Sequence, residues 1–418
     1  MALPTPARPR PIPYGDRAGA DDRRTARRAV ASASCASLIG IGLARFAYTP
    51  LLPAIIDGGW FEASTAAYLG AANLAGYLAG ALLGRPLAAR TRVPVVLRAM
   101  MVVATAAFFA CAYPLNVAWF FAWRFASGFA GGALMVLAAP AVLPHVPPGK
   151  RGLAGGLIFM GIGVGIAASG TLVPLLLRGG LQQAWFGLGA LSCLLTVIGW
   201  RGWPSDAPVA VRPVAGAEPS RAPGRAALRA LYAEYALNAA AWVPHMLFLV
   251  DLVARGLGQG IQAGSHYWVL FGLGATVGPI LVGHLADRTG FGPALRLAFL
   301  VEAGAIAIPA LGLGPSWLIL SSVAVGAFVT GTVPLMLGRI GELLPGEPER
   351  QKAAWSVATV AFALFQAGAA YGLSFVFAHT AGNYTLLFAL GTAAMVLALA
   401  IDLGTALATP RPASPARP

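Results

Sequence analysis

Residues 29–56 read AVASASCASLIGIGLARFAYTPLLPAII, 28 residues with a single charged side chain, Arg45. A bilayer is crossed by about 20 predominantly apolar residues, so this run is long enough to span one. If its last 20 or so residues span, Arg45 lies roughly 14 Å into the membrane, close to the midplane. An arginine there costs roughly 2.5–3.5 kcal/mol on insertion scales, and intramembrane charge is by default a functional signal. Such a residue needs a partner or a cavity.

The rest of the chain repeats the pattern. Its 418 residues are 58% apolar and 11% charged, with mean hydropathy +0.72, far from a soluble globular protein. Apolar runs fall at roughly 29–56, 65–84, 93–113, 117–141, 152–174, 183–200, 228–252, 263–284, 293–312, 316–337, 353–377 and 384–407. These predict an all-α integral membrane protein with twelve transmembrane helices. Net charge +14 would suit a nucleic-acid partner only if it were clustered on a soluble surface. Instead only Arg45 and Arg124 of the 29 basic residues lie deep in apolar runs, and the loops of one side hold only Arg178 and Arg255. By the positive-inside rule both termini are then cytoplasmic, with membrane lipid as a partner and nucleic acid excluded.

Residues 1–28, rich in Pro and Arg, read as a disordered cytoplasmic tail. Residues 201–227, with five prolines, four arginines and no hydrophobic period, read as a cytoplasmic linker between six-helix bundles at 29–200 and 228–407. A second tail follows at 408–418. Arg23-Arg24 precede an apolar run, but eleven further spans follow it, so the run reads as a membrane helix and not a cleaved signal. Cys35, Cys111 and Cys193 are scattered singly and suggest neither disulfides nor a metal site.

Sliding one half over the other by 194–199 positions aligns Tyr48 and Pro50 with Trp242 and Pro244, Gly84 and Pro94 with Gly283 and Pro293, and Gly132 with Gly331. That is the pattern of an internal duplication, which lets a transporter rock around a midplane site. The most specific motif is Gly283-His284-Leu285-Ala286-Asp287-Arg288-Thr289-Gly290. Gly290 permits a tight turn, and Asp287 can pair with arginine or face a helix N-terminus.

This motif resembles the G-x-x-x-D-R-x-G signature of the major facilitator superfamily, which helps lock one of two alternating conformations. The copy after the second run, Gly84-Arg85-Pro86-Leu87-Ala88-Ala89-Arg90, departs from it, with Ala88 in place of the acid. Arg124 to Gly128 resembles the superfamily's R-x-x-x-G element. Gly161, Gly163, Gly165 and Gly170 resemble its glycine-rich antiporter motif without the usual Gly-Pro pair, and close helix packing is the better account of them. Within the superfamily, Arg45-Phe46-Ala47-Tyr48-Thr49-Pro50-Leu51-Leu52-Pro53 is similar to the R-F-x-Y-T-x-L-L-P pattern of the YbfB/YjiJ-like branch, as is Trp268 to Gly272. The resemblance implies two pseudo-symmetric six-helix bundles, the major facilitator fold, working by alternating access.

No Asp or Glu occurs between Glu62 and Asp206, so neither intramembrane arginine has a carboxylate in its own half. For Arg45 three partners stay open: Glu234 or Glu302 from the other half, backbone carbonyls, or an anionic substrate. Tyr48 and Thr49 follow it by three and four residues and share its helix face. Arg45, Tyr48, Thr49, Arg124, Asn238 and His245 are therefore the substrate-binding candidates, and Gln366 and Tyr371 are weaker ones. Asp287, Arg288, Gly283, Gly290, Glu302 and Glu234 are candidates for coupling or gating. Each has a bland alternative: an ion pair between halves for Arg45, helix–helix hydrogen bonding for His245 and Tyr48, an arginine partner for the glutamates.

There is no G-x-x-x-x-G-K-[ST] sequence for ATP and no close histidine spacing for a metal, so no cofactor is expected and no metal site. The reading is a monomeric secondary transporter in a plasma membrane, a bacterial inner membrane, moving a small anionic or carboxylate-bearing solute with protons. An exporter of hydrophobic drugs is the alternative, and a membrane-bound enzyme or sensor a distant one.

Overall fold

A computed structural model describes residues 15–204, 225–380 and 382–408, which form helices and short connections with no strand among them. Twelve helical rods follow one another: α1 (Gly15–Ser37, Leu38–Leu43, Ala44–Phe46 and Tyr48–Asp57), α2 (Ala63–Arg90), α3 (Val93–Cys111), α4 (Val117–Val142), α5 (Arg151–Leu177), α6 (Leu181–Gly199), α7 (Arg225–Ala241, Val243–Asp251 and Leu252–Gly256), α8 (Gly260–Thr289), α9 (Phe291–Leu311), α10 (Pro315–Leu343), α11 (Pro348–His379) and α12 (Tyr384–Ala408). Ten of them are individually long and apolar enough to cross a membrane. The other two are α2 and α7.

The expected tail and linker boundaries shift. α1 begins at Gly15, inside the stretch read as disordered, in a segment rich in Ala and Arg, both good helix formers. α7 likewise begins at Arg225. Residues 1–14, 205–224 and 409–418 of the expected tails and linker lie outside the described residues.

Two helix pairings repeat. α2 packs along α4 and α8 along α10, each through glycines that bring backbones into contact. Gly76 faces the Phe125 carbonyl, Gly80 that of Phe129 and Gly128 that of Asn73. In the second half Gly274 faces Val323, Gly278 faces Ala327 and Gly326 faces Phe271, every residue 198 positions on from its counterpart. This register matches Gly132 to Thr330, not Gly331: Gly132 approaches the Tyr77 carbonyl, and Thr330 Oγ1 donates to that of Ala275 at 2.7 Å. The interruptions of α1 at Ala47 and α7 at Trp242 also correspond, each just before a proline, Pro50 or Pro244, that has no N–H to give.

The halves meet most extensively where α5 lies along α8. Gly152 against Gly283, Gly156 against Pro279, Gly163 against Ala275 and Gly272 against Ala167 form a continuous seam of small residues. On the other side of the interface Trp355 of α11 donates from Nε1 to the Met135 carbonyl of α4 at 2.9 Å. Ser356 donates to the Ala81 carbonyl of α2 at 3.3 Å.

Candidate functional site

A π-helical turn over Leu38–Leu43 brings α1 against its neighbours, with Gly40 on Gly131 of α4 and Gly42 on Gly165 of α5. π-Turns inside helices are frequent at functional sites. Two residues later, Arg45 crosses from the first half to the second. Its Nη2 donates to Gln366 Oε1 of α11 at 2.5 Å, and its guanidinium carbon lies 5.4 Å from the Phe46 ring and 5.8 Å from the Tyr77 ring. The partner is thus a neutral amide, not Glu234, Glu302 or a backbone carbonyl.

Around this bridge stand aromatic rings and unused donors. Gln366 Nε2 is buried without a hydrogen-bond partner. Phe362, one turn before it on α11, lies 4.7 Å from Tyr235 and 6.2 Å from Trp242, both on α7. The Tyr235 hydroxyl and Trp242 Nε1 are also buried and unpaired. Buried polar groups are normally satisfied, so these three unpaired donors, two of them beside Phe362, stand out in the α7–α11 contact.

The other candidates of the first half turn away from Arg45. Arg124 is 3% exposed, and its Nη1 donates to the Ala44 carbonyl at 2.8 Å while its guanidinium sits 4.3 Å over the Tyr48 ring. Tyr48 in turn donates to the Ala66 carbonyl at 2.7 Å. Asn73 donates to the Arg124 carbonyl at 3.3 Å and to Ser127 Oγ at 2.9 Å. These bonds tie α1, α2 and α4 together directly beside Arg45. Thr49 is exposed.

In the second half the polar candidates lie within the bundle. Asn238 Nδ2 donates to Glu302 Oε2 at 2.7 Å, and Thr332 Oγ1 reaches Asn238 Oδ1 at 3.4 Å. All three are fully buried, Glu302 Oε1 has no partner, and no ion pair reaches the carboxyl among the described residues. His245 Nε2 shares a hydrogen bond of 2.8 Å with Ser321 Oγ, which donates to the Ala305 carbonyl at 2.7 Å, and the imidazole stands edge-on to Phe388. Glu234 is buried in reach of Asp402, Arg339 and Arg296, of which Arg296 and Asp402 pair at 2.6 Å.

The loop motif joins the halves. Asp287 accepts from the backbone N–H of Gly152 and of Leu153, both at 2.8 Å, so its carboxylate caps the first turn of α5 across the interface. Gly283, buried against Gly152, allows that approach, and Gly290 holds φ +86° at the turn into α9. Arg288 is exposed.

The family model described as "Uncharacterised MFS-type transporter YbfB" matches residues 37–403. The chain belongs to this family of major facilitator transporters. No curated protein sequence matches it. Among solved structures, the human organic anion transporter TETRAN shares 16% identity at TM-score 0.73, covering 90% of this chain and 99% of its own. The proton:xylose symporter XylE, bound to 6-bromo-6-deoxy-D-glucose, shares 14% at TM-score 0.72, covering 92% and 96%. The transporter FucP in the outward conformation shares 15% at TM-score 0.68, covering 90% and 98%. At these identities the likeness concerns the fold, which is the twelve-helix arrangement of a multi-pass membrane transporter.

Tyr77 and Tyr235 escaped the sequence reading of this transporter, and Trp242 entered it only as the counterpart of Tyr48 in the repeat. A signal for two of them was present: Tyr235 and Trp242 are seven residues apart, as are Asn238 and His245, and the two stripes lie about 60° apart on α7. Selecting by polarity picked the stripe that faces Glu302 and Ser321.

Proposed function

We propose that this transporter moves a small carboxylate-bearing solute across a bacterial inner membrane by alternating access, coupled to protons, as a monomer with both termini cytoplasmic. The observation that carries the reading is Arg45, an interdomain cation whose one side-chain hydrogen-bond partner is neutral. A carboxylate fits a guanidinium in bidentate fashion, and the Gln366, Tyr235 and Trp242 donors would serve its remaining acceptors. Because Arg45 and Gln366 belong to opposite halves, a ligand held by both would couple its own binding to the approach of the two bundles. Arg124, Tyr48 and Asn73 position α1. Asn238 holds Glu302, the proposed proton carrier, and His245 with Ser321 steadies α7. Glu234, beside Arg296 and Asp402, would ease proton passage to the terminal face, where Asp287, Arg288, Gly283 and Gly290 make the gate.

Thermal unfolding of the purified protein with a panel of small carboxylic acids and their methyl esters tests this directly. An acid should raise the melting temperature of the wild type and its ester should not. Arg45→Ala should weaken binding roughly 10- to 150-fold, the worth of a charge-assisted hydrogen bond of about 1.5–3 kcal/mol, with Arg45→Lys between. Equal responses in wild type and Arg45→Ala, or to acid and ester, would overturn the assignment. Flux of the same acid into proteoliposomes separates transport from catalysis.

A further inference from the structure

At the terminal face the pseudo-symmetry fails. Asp287 caps α5, but the corresponding position in the last turn of α2 is Ala88, and among the described residues no carboxylate reaches across to α11 from there. A cavity of about 770 Å³ lies at this place, with Ala88 in its wall. Its polar lining includes Arg85, His145, Arg151, Trp203, Glu349 and Lys352, contributed by both halves. Glu349 is committed to Lys352 at 2.7 Å, whereas Arg85 and Arg151 pair with no carboxylate among the described residues. Arg151 Nε donates only to the Val146 carbonyl, at 3.2 Å. Trp203 is 6% exposed, yet its Nε1 has no acceptor, and His145 Nδ1 is likewise buried and unpaired. Indole N–H is a donor only, so the group missing from this cavity is an acceptor. The remaining walls are apolar, among them Val93, Leu97, Val136 and Leu137.

We propose that this cavity binds a phosphate-bearing anion, which supplies between the halves the negative charge that Ala88 does not. Arg85 and Arg151 hold its charge, Trp203 and His145 donate to its oxygens, and the first turn of α11 approaches it from the opposite half. The apolar walls favour an acidic phospholipid over a free phosphate, with the headgroup in the cavity and the glycerol and first methylenes along the walls. Bound there, the anion holds the terminal face closed beside the Asp287 cap.

The test is thermal unfolding of the full chain in nanodiscs of phosphatidylglycerol or of phosphatidylcholine, and in detergent with and without inorganic phosphate. Phosphatidylglycerol should raise the wild-type melting temperature above that in phosphatidylcholine. Arg85→Gln and Trp203→Phe should each remove most of that gain, Arg85→Lys should keep it, and Ala88→Asp should make stability independent of the lipid. A gain with inorganic phosphate in detergent that equals the gain with phosphatidylglycerol, lost in the same variants, upholds the site and assigns it to the free anion. A lipid gain of equal size in wild type, Arg85→Gln, Trp203→Phe and Ala88→Asp overturns the proposal, since it then comes from the basic surface as a whole. No gain in the wild type under any condition overturns it too.

Discussion

A guanidinium that leaves water must be solvated by the protein around it. Arg124 meets this need with the Ala44 carbonyl and the face of Tyr48, groups that are all supplied within one half. Arg45 meets it with one amide oxygen from the other half and two ring faces. Both arginines were legible because charge in an apolar run is conspicuous. Gln366 stood out only as a weaker candidate, and its pairing with Arg45 was not legible, because nothing local shows that α11 meets α1 across 321 positions. Glu302 was legible for the same reason as the arginines, yet its pairing with Asn238 emerged only in the fold, where the two side chains meet between α7 and α9. In the proposed proton role, Glu302→Gln keeps the bond from Asn238 and removes the titrating oxygen. Accumulation of substrate driven by a proton gradient in proteoliposomes should then disappear, while equilibrium exchange of the same substrate continues. Gradient-driven accumulation at the wild-type rate would rule out the role.

At the scale of helices, hydrophobic run length and charge placement were enough for twelve rods, since a spanning segment must satisfy its own backbone and so must be a long helix. What run length could not give was which glycines touch what. The glycines of α5 resembled a transport motif and, more closely, a packing surface; in the fold Gly156 and Gly163 lie on backbone atoms of α8. A side chain at Gly163 would collide with the Ala275 carbonyl, whereas at Gly304 of α9 there is open space. Gly163→Ala should therefore force α5 and α8 apart and destabilise the protein by about 1–3 kcal/mol, the usual cost of overpacking. Gly304→Ala should be neutral or stabilising by up to about 1 kcal/mol from helix propensity. Thermal unfolding of the two variants side by side reads the difference. Equal melting temperatures would mean that the α5–α8 seam is not close-packed in the membrane.

For the whole molecule, two like halves related by 198 positions can exchange inward and outward openings only if contacts on each face are made in one state and broken in the other. On the terminal face the cap of α5 by Asp287 is the proposed contact of this kind, because its two hydrogen bonds join α8 of one half to α5 of the other. The halves do not contribute equally: Ala88 can form no matching cap, so closure of this face rests more heavily on Asp287 than a symmetric design would require. Asp287→Ala removes both charge-assisted bonds and leaves two first-turn N–H groups of α5 unpaired. If even one bond's worth, about 1.5–3 kcal/mol, is specific to the closed state, the equilibrium should move roughly 10- to 150-fold toward opening at this face. Spin labels on the loops that follow α2 and α8, in a background with Cys35, Cys111 and Cys193 replaced, report that opening as a longer inter-label distance. Asp287→Asn, which keeps an acceptor without the charge, should fall between wild type and Asp287→Ala. A distance distribution that does not change in Asp287→Ala would mean that the α5–α8 seam, and not the cap, sets the closed state.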